Sequence, residues 1–202
     1  MTSEIINEQL QRIKEKIPLI QKYYQHNILE PPLSEAEVLA YEKAHHIRLP
    51  EDYRKFITTI ASAGEKPFYG LYDIIKPKPE YEMNSIPEKP FPYTIDAPLL
   101  IYQIDDDTYE MLMEEENDEI CRGYLVLCQE GCGMTNILVV NSGDEATYGT
   151  MWFFDLSNDF GIAPIFKPGT KEPMHFLDWI EYWIDFTLQA NDDDDFGFIE
   201  LT

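Results

Sequence analysis

Basic residues are scarce in this chain, which has 15 Lys and Arg against 38 Asp and Glu and a formal net charge of −23. The deficit is uneven. Residues 1–60 hold nine acidic and eight basic residues, whereas between Lys89 and Lys167 the only basic residue is Arg122, against fifteen acidic ones. Nucleic acids and anionic membranes are bound through Lys and Arg, so we expect neither as a partner. A basic partner would be attracted, and its association would be accelerated. The alternative is that the acidity only keeps the protein in solution.

Long apolar runs and paired cysteines are also missing. No stretch of about 18 apolar residues occurs, so the sequence predicts no transmembrane helix. The polar, periodic N-terminus has no apolar core of the kind found in signal peptides. Three cysteines fit reduced thiols better than a disulfide framework. We therefore expect a cytoplasmic protein, and the 44% hydrophobic and 13% aromatic residues predict a folded one.

Motifs for catalysis and for metal binding are absent from the sequence. It contains no nucleophile elbow, zinc-protease helix, P-loop or dinucleotide fingerprint. Cys121, Cys128 and Cys132 lack metal-ligand spacing and a nearby histidine, so we expect neither a metal nor another cofactor. Cys128 and Cys132 flank a turn, where we expect both to pack as small apolar groups. We predict no catalytic residues and no enzymatic activity. An enzyme using a carboxylate or Cys132 as its reactive group is the alternative.

Helical patterns come first along the chain. Ile6, Leu10, Ile13 and Ile17 predict an N-terminal helix that Pro18 bends or ends. Ser34 and Glu37 form the pattern of a capping box, and Pro50 suits the start of a third helix. His45 and His46 are expected to cap a helix end. Residues 64–98 hold seven of the fourteen prolines, which indicates a long irregular segment, with a possible short strand at residues 69–75.

Strand patterns follow, and one last helix closes the chain. Strands are predicted at residues 99–104, 124–129, 136–141 and 151–156, with a tight turn at Gly131 and Gly133. The last helix has an apolar stripe formed by Phe176, Trp179, Ile180, Trp183 and Thr187. The predicted fold is α+β, a central antiparallel sheet with the N-terminal helices and the C-terminal helix packed mainly on one face. We predict a single domain over residues 1–202, with a helical extension at 1–30, a core at 31–190 and an acidic tail at 191–202.

Four segments together resemble one protein family. Tyr41-Glu42, Leu49-Pro50 and Tyr53-Arg54 are similar to the opening of the SUKH superfamily, the Smi–Knr proteins. Residues 123–140 resemble its strand, Gly-x-Gly turn and next strand, residues 150–156 its Trp-bearing strand, and residues 176–183 its closing helix. The resemblance covers roughly residues 30–190. Ala63-Gly64 replaces an Asn-Gly-like turn, and the acidic run at 105–119 is not a family hallmark. On this resemblance we assign fold-setting roles to Glu42, Leu49, Pro50, Tyr53, Gly131, Gly133, Trp152 and Trp179.

The resemblance implies a binding module without enzymatic activity. Bacterial members of the family are immunity proteins that block a toxin, often a nuclease, by occlusion. We therefore expect this chain to bind a cognate toxin domain, which we expect to be a basic protein. The resemblance leaves the number of subunits open. The alternative is a regulatory or scaffolding module, as in fungal relatives.

The acidic run at residues 105–119 is the candidate interface. Tyr102, Tyr109, Met111, Leu112 and Met113 interleave its carboxylates, and interfaces combine such anchors with a charged rim. A solvated loop is the alternative for this segment. The predicted partner-binding residues are Asp105, Asp106, Asp107, Tyr109, Glu114, Glu115, Glu116, Asp118 and Glu119.

Overall fold

The computed structural model describes residues 2–76, 85–114 and 117–190. Over these residues five α-helices accompany one five-stranded sheet. The helices are α1 (Ser3–Tyr24), α2 (Glu35–Ala44), α3 (Glu51–Thr59), α4 (Asp106–Met113) and α5 (Phe176–Ala190). The strands are β1 (Leu99–Leu100), β2 (Tyr124–Gly131), β3 (Met134–Val139), β4 (Met151–Asp155) and β5 (Gly161–Pro164). The predicted α+β class is confirmed.

The sheet has the strand order β1-β5-β4-β3-β2, and every neighbouring pair is antiparallel. Because side chains alternate along a strand, each strand supplies both faces. Leu125, Leu138 and Met151 lie on the face that packs against the helices. Ile137 and Trp152, which are paired in the register of β3 with β4, lie on the opposite face.

The helical face is covered mainly by α1, α3 and α5. The predicted apolar stripe of α5 is buried. Helix α1 packs beside α5, and the two helices run in the same direction. Polar contacts join residues of the two helices at a constant separation in sequence. Gln9 Nε2 donates to Asp178 at 3.1 Å, Arg12 Nη2 to Glu181 at 2.8 Å, and Lys16 Nζ to Asp185 at 2.7 Å. The acidic side of α5 is thus neutralised by basic residues of α1.

The opposite face is covered by chain from residues 86–114 and 117–121, including α4. Phe91, Leu99 and Leu112 pack there, and the Phe91 and Trp152 ring centroids are 4.9 Å apart. Trp152 Nε1 donates to Thr150 Oγ1 at 2.8 Å, so the buried indole keeps a hydrogen-bond partner. Both faces of the sheet are therefore buried, one by helices and the other mostly by irregular chain.

Several local predictions need correction. Pro18 does not end α1, which continues to Tyr24 because Ile20, buried in the core beyond the proline, holds the last turns in place. The strand predicted at 69–75 is reduced to a single bridge between Gly64 and Leu71. The strand predicted at 99–104 ends at Leu100 and turns into a 3₁₀ helix, Ile101–Gln103.

One strand was not predicted, and the environment of one cysteine was predicted wrongly. β5 was missed, because four residues are too few to show a period. Cys128 is buried as expected, but Cys132 is exposed at the tip of the β2–β3 turn and does not pack as an apolar group. The predicted tail at 191–202 lies outside the described residues. The division into an extension and a core remains a prediction.

Candidate protein-binding surface

Helix α4 lies within the acidic run at residues 105–119, and its N-cap is an acidic residue. The side chain of Asp105, at the N-cap, accepts a hydrogen bond from the Thr108 N–H at 2.8 Å. Hydrogen bonding to the Thr108 side chain, followed by that from its backbone N–H, lowers the pKa of Asp105. Asp106 and Asp107 follow in the first turn, where negative charge meets the positive end of the helix dipole. Residues Asp106–Met113 therefore form a helix and not a loop.

Few side chains anchor α4 to the sheet. Leu112 is the only one of its eight residues that is buried, and Tyr109 is half-buried beside it. The side chains of Met111 and Met113 are 49% and 37% exposed, and Tyr102, just before the helix, is 69% exposed. Exposed Met and Tyr side chains are adaptable apolar contacts of the kind that binding surfaces use.

The charges on this helix are largely uncompensated. Asp106, Asp107, Glu110 and Glu114 are exposed, and none of them makes an ion pair within the described residues. Asp106 with Glu110, and Glu110 with Glu114, are like charges four residues apart, and each such pair destabilises a helix by about 0.2–0.5 kcal/mol. A cationic partner would remove this repulsion. We call Tyr102, Asp105–Asp107, Glu110, Met111, Met113 and Glu114 the α4 surface.

The remaining predicted partner residues divide into different environments. Asp118 bonds to both Lys89 and Arg122, and the hydrogen bond from Lys89, followed by that from Arg122, lowers its pKa. Glu119 begins a 3₁₀ helix, Glu119–Cys121, and is half-buried. Glu115 and Glu116 lie outside the described residues. The structure thus brings Asp105, Asp106, Asp107, Tyr109 and Glu114 together on α4, and Asp118 already has intramolecular partners.

The residues assigned fold-setting roles lie at junctions and in the core. Glu42 Oε1 accepts the Leu49 N–H at 2.9 Å, and its other oxygen lies 3.6 Å from Arg54 Nε. The carboxylate therefore joins α2, the connector and α3. Leu49, Tyr53, Trp152 and Trp179 are buried, and Pro50 is the N-cap of α3. Gly131 and Gly133 have φ of 97° and 84° in the β2–β3 turn.

Two acids whose pKa is raised by burial were not recognised in the sequence. Glu130, near the end of β2, accepts a hydrogen bond from the side chain of Asn136, and burial raises its pKa to about 7. Asp155, on β4, raises it further by its like charge. Two irregularities in the pairing of β2 with β3 break the alternation of side chains. The sequence pattern therefore gave no signal that Glu130 is buried.

The other acid whose pKa burial raises, Asp52, lies in a cleft of about 350 Å³ beside His175 and Tyr148. Burial raises its pKa, and His175 opposes that change. Asp52 Oδ2 accepts the Leu177 N–H at 3.2 Å, and His175 Nδ1 lies 2.8 Å from the Gly149 carbonyl oxygen. The acid thus caps the first turn of α5, a structural use of this carboxylate. Among the described residues, no group of three or more His, Cys, Asp or Glu side chains could hold a metal ion.

The comparisons with known proteins identify one family. The model of the SMI1/KNR4 family (SUKH-1) matches residues 32–173, which confirms the resemblance carried by the sequence motifs. The match begins just before α2 and ends just before α5, so α1 and α5 lie outside it. No curated protein and no solved structure matches the chain. In the described part of the chain, no helix is both long and apolar enough to cross a membrane.

Proposed function

Because this chain belongs to the SMI1/KNR4 (SUKH-1) family, we propose that it is an immunity protein that binds and neutralises a cognate toxin domain. Families of this kind are commonly immunity proteins and generally act by binding rather than by catalysis. We place the protein in the bacterial cytoplasm, where a delivered toxin would act. The observation that carries the proposal is the α4 surface, which combines exposed apolar side chains with carboxylates that make no ion pair in the described structure.

The proposed partner is a basic protein surface. A net charge of −23 raises the local concentration of cationic surfaces and repels anionic ones. A nuclease toxin fits this requirement, because it must carry Lys and Arg to bind phosphate groups. The α4 surface would cover such a cationic site and exclude nucleic acid from it. Neutralisation would then follow from occlusion alone.

The two kinds of side chain on the α4 surface have different roles in this proposal. The exposed carboxylates steer the encounter and should act mainly on the association rate, which salt screens. Met111, Met113 and Tyr102 become buried on binding and should act mainly on the dissociation rate. Binding would also relieve the like-charge repulsion along α4, so the helix itself should become more stable in the complex.

A co-expression rescue tests the function. Cells that produce only the toxin domain encoded next to this chain should die. Cells that produce both the toxin domain and this chain should survive. Death in both cases, with the chain folded and no complex formed with an inactivated toxin domain, would overturn the immunity function.

Matched charge variants test the α4 surface. The triple variant Asp106→Asn, Asp107→Asn, Glu114→Gln should reduce the association rate about tenfold at low salt. The control triple variant Glu4→Gln, Glu8→Gln, Glu15→Gln changes the net charge equally, but on exposed positions of α1, across the sheet from α4. It should bind at close to the wild-type rate. Equal rates for the two variants would refute the assignment of this surface.

A further inference from the structure

Tyr69 is exposed, yet its position is fixed. Its ring side chain is 60% exposed, although the backbone on both sides is tied to the rest of the fold. The Tyr69 N–H donates to the Gln129 carbonyl at 3.2 Å, and the Tyr72 N–H donates to the Leu127 carbonyl at 2.8 Å. Phe68 and Gly70 have φ of 48° and 115°, which turns the chain so that the side chain between them is directed outwards.

The ring of Tyr69 lies against the backbone of Gly131. A Cβ atom at position 131 would come within 2.8 Å of Tyr69 Cε2 and 3.1 Å of its hydroxyl oxygen. Glycine is therefore required there twice, for the positive φ of the turn and for the space that the ring occupies. An aromatic side chain that is ordered before binding loses little conformational entropy when a partner covers it.

The turn that carries Tyr69, the β2–β3 turn and the β4–β5 turn meet at the same end of the sheet. Together they connect Tyr69 with the α4 surface. Asn158 Nδ2, after β4, donates to the Cys132 carbonyl at 3.2 Å and so joins the β4–β5 turn to the β2–β3 turn. The Ile101 N–H donates to the Phe160 carbonyl at 3.0 Å, which joins the β4–β5 turn to the residue preceding Tyr102. Exposed aromatic side chains thus stand at both ends of this row of turns.

The backbone at this end is strained. Phe68, Cys132 and Asp159 are non-glycine residues with φ between 48° and 59°. Such positions cost on the order of 1 kcal/mol or more each and persist only where the surrounding structure determines them. The hydrogen bonds of Tyr69 and Tyr72 to β2 help to hold Phe68 in this conformation, and they also fix the backbone that carries the Tyr69 ring.

We infer that Tyr69 is an anchor for the same protein partner, so that the interface continues from the α4 surface through Tyr102 and across the three turns. This inference rests on the proposed function. The strand turns and α4 favour a basic protein as the partner, because Arg122 is the only basic residue between Lys89 and Lys167, a range that includes both strand turns and α4 but not Tyr69. The outer face of a fixed tyrosine ring suits a guanidinium or ammonium group, and tyrosine is over-represented among residues that dominate binding energy.

Binding kinetics with the inactivated toxin domain encoded next to this chain test the inference. Tyr69→Ala should weaken binding at least tenfold, mainly by faster dissociation, whereas Tyr69→Phe should keep most of the affinity because it keeps the ring. Leu39→Ala is the control, since Leu39 is 57% exposed on α2, outside the proposed interface, and its loss should leave the affinity unchanged. Thermal unfolding of the variants shows whether each one is folded, and the exposed ring should contribute little to the melting temperature.

Amide exchange gives a second readout on the wild-type chain. Exchange in residues 67–72 and 129–134 should slow when the complex forms. Wild-type affinity of Tyr69→Ala, or unchanged exchange in both segments, would overturn the inference while the immunity function stands. Failure of the wild-type chain to bind the toxin domain at all would instead overturn the proposed function and this inference with it.

Discussion

Replacing Glu130 with glutamine should make the protein more stable in alkaline solution and leave it nearly unchanged in acid. The carboxyl group of Glu130 is largely buried, and burial raises its pKa from 4.5 to about 7. A nearby like charge on Asp155 adds to the shift, and the hydrogen bond from Asn136 opposes it. The folded protein therefore holds this proton more tightly than the unfolded chain does.

The sign and size of the effect follow from proton linkage. Stability from this group is fully present below the unfolded pKa of 4.5 and is lost as the pH rises through about 7. At about 1.4 kcal/mol per unit, the shift corresponds to roughly 3 kcal/mol of unfolding free energy between pH 4.5 and pH 8. Glu130→Gln removes the titration but keeps an oxygen that can accept the hydrogen bond from Asn136.

Urea unfolding at pH 5, 6, 7 and 8 measures the difference. The free energy of unfolding of the variant should exceed that of the wild type by less than about 1 kcal/mol at pH 5 and by on the order of 3 kcal/mol at pH 8. Glu145→Gln, at an exposed position, changes the net charge equally and should show no such trend. A difference that stays constant with pH, or one that Glu145→Gln reproduces, would refute the reasoning.

Two further predictions concern stability. Glu181→Gln should cost on the order of 1 kcal/mol in urea unfolding, because its 11% exposed carboxylate accepts hydrogen bonds from Arg12 and Lys16. Glu172→Gln, at an exposed ion pair, should cost less than half of that, and equal losses would contradict the argument. Gly131→Ala should lower the melting temperature through its φ of 97° and the Tyr69 ring, as judged by calorimetry. Gly143→Ala, where a Cβ would meet nothing within 4 Å, should have no effect, and matching behaviour of the two variants would exclude the steric reason.

Local signals in the sequence predicted the elements that depend on local interactions. The capping box of Ser34 and Glu37 forms as expected and begins α2, and Pro50 precedes α3. The glycines at 131 and 133 predicted the β2–β3 turn, and the apolar stripe predicted α5. The family motifs agreed with these patterns, so the fold class followed from the sequence.

Features that depend on distant residues could not be predicted. Nothing near Asp118 shows that Lys89, 29 residues earlier, neutralises it, whereas Asp107 stays unpaired in the described structure. The sequence therefore shows the acidic run, but it does not show which of the carboxylates lack a cationic partner in the described structure. The sequence places Tyr69 in a possible strand. Its exposed position could not be predicted, because it depends on the backbone of Phe68 and on contacts with β2.

The pairing of α1 with α5 determines when the protein can finish folding during synthesis. Contacts such as Gln9 with Asp178 join residues 169 positions apart, so α1 leaves the ribosome long before its partner exists. Ile6, Leu10 and Ile13 must wait, without their partners on α5, until residues 176–190 have emerged. Contacts of such long sequence separation are slow to form and leave apolar surface exposed to aggregation in the meantime. Helix α1, which is made before the other four described helices, is thus among the last to be buried, and a ribosome stalled before α5 would hold a chain that chaperones can still recognise.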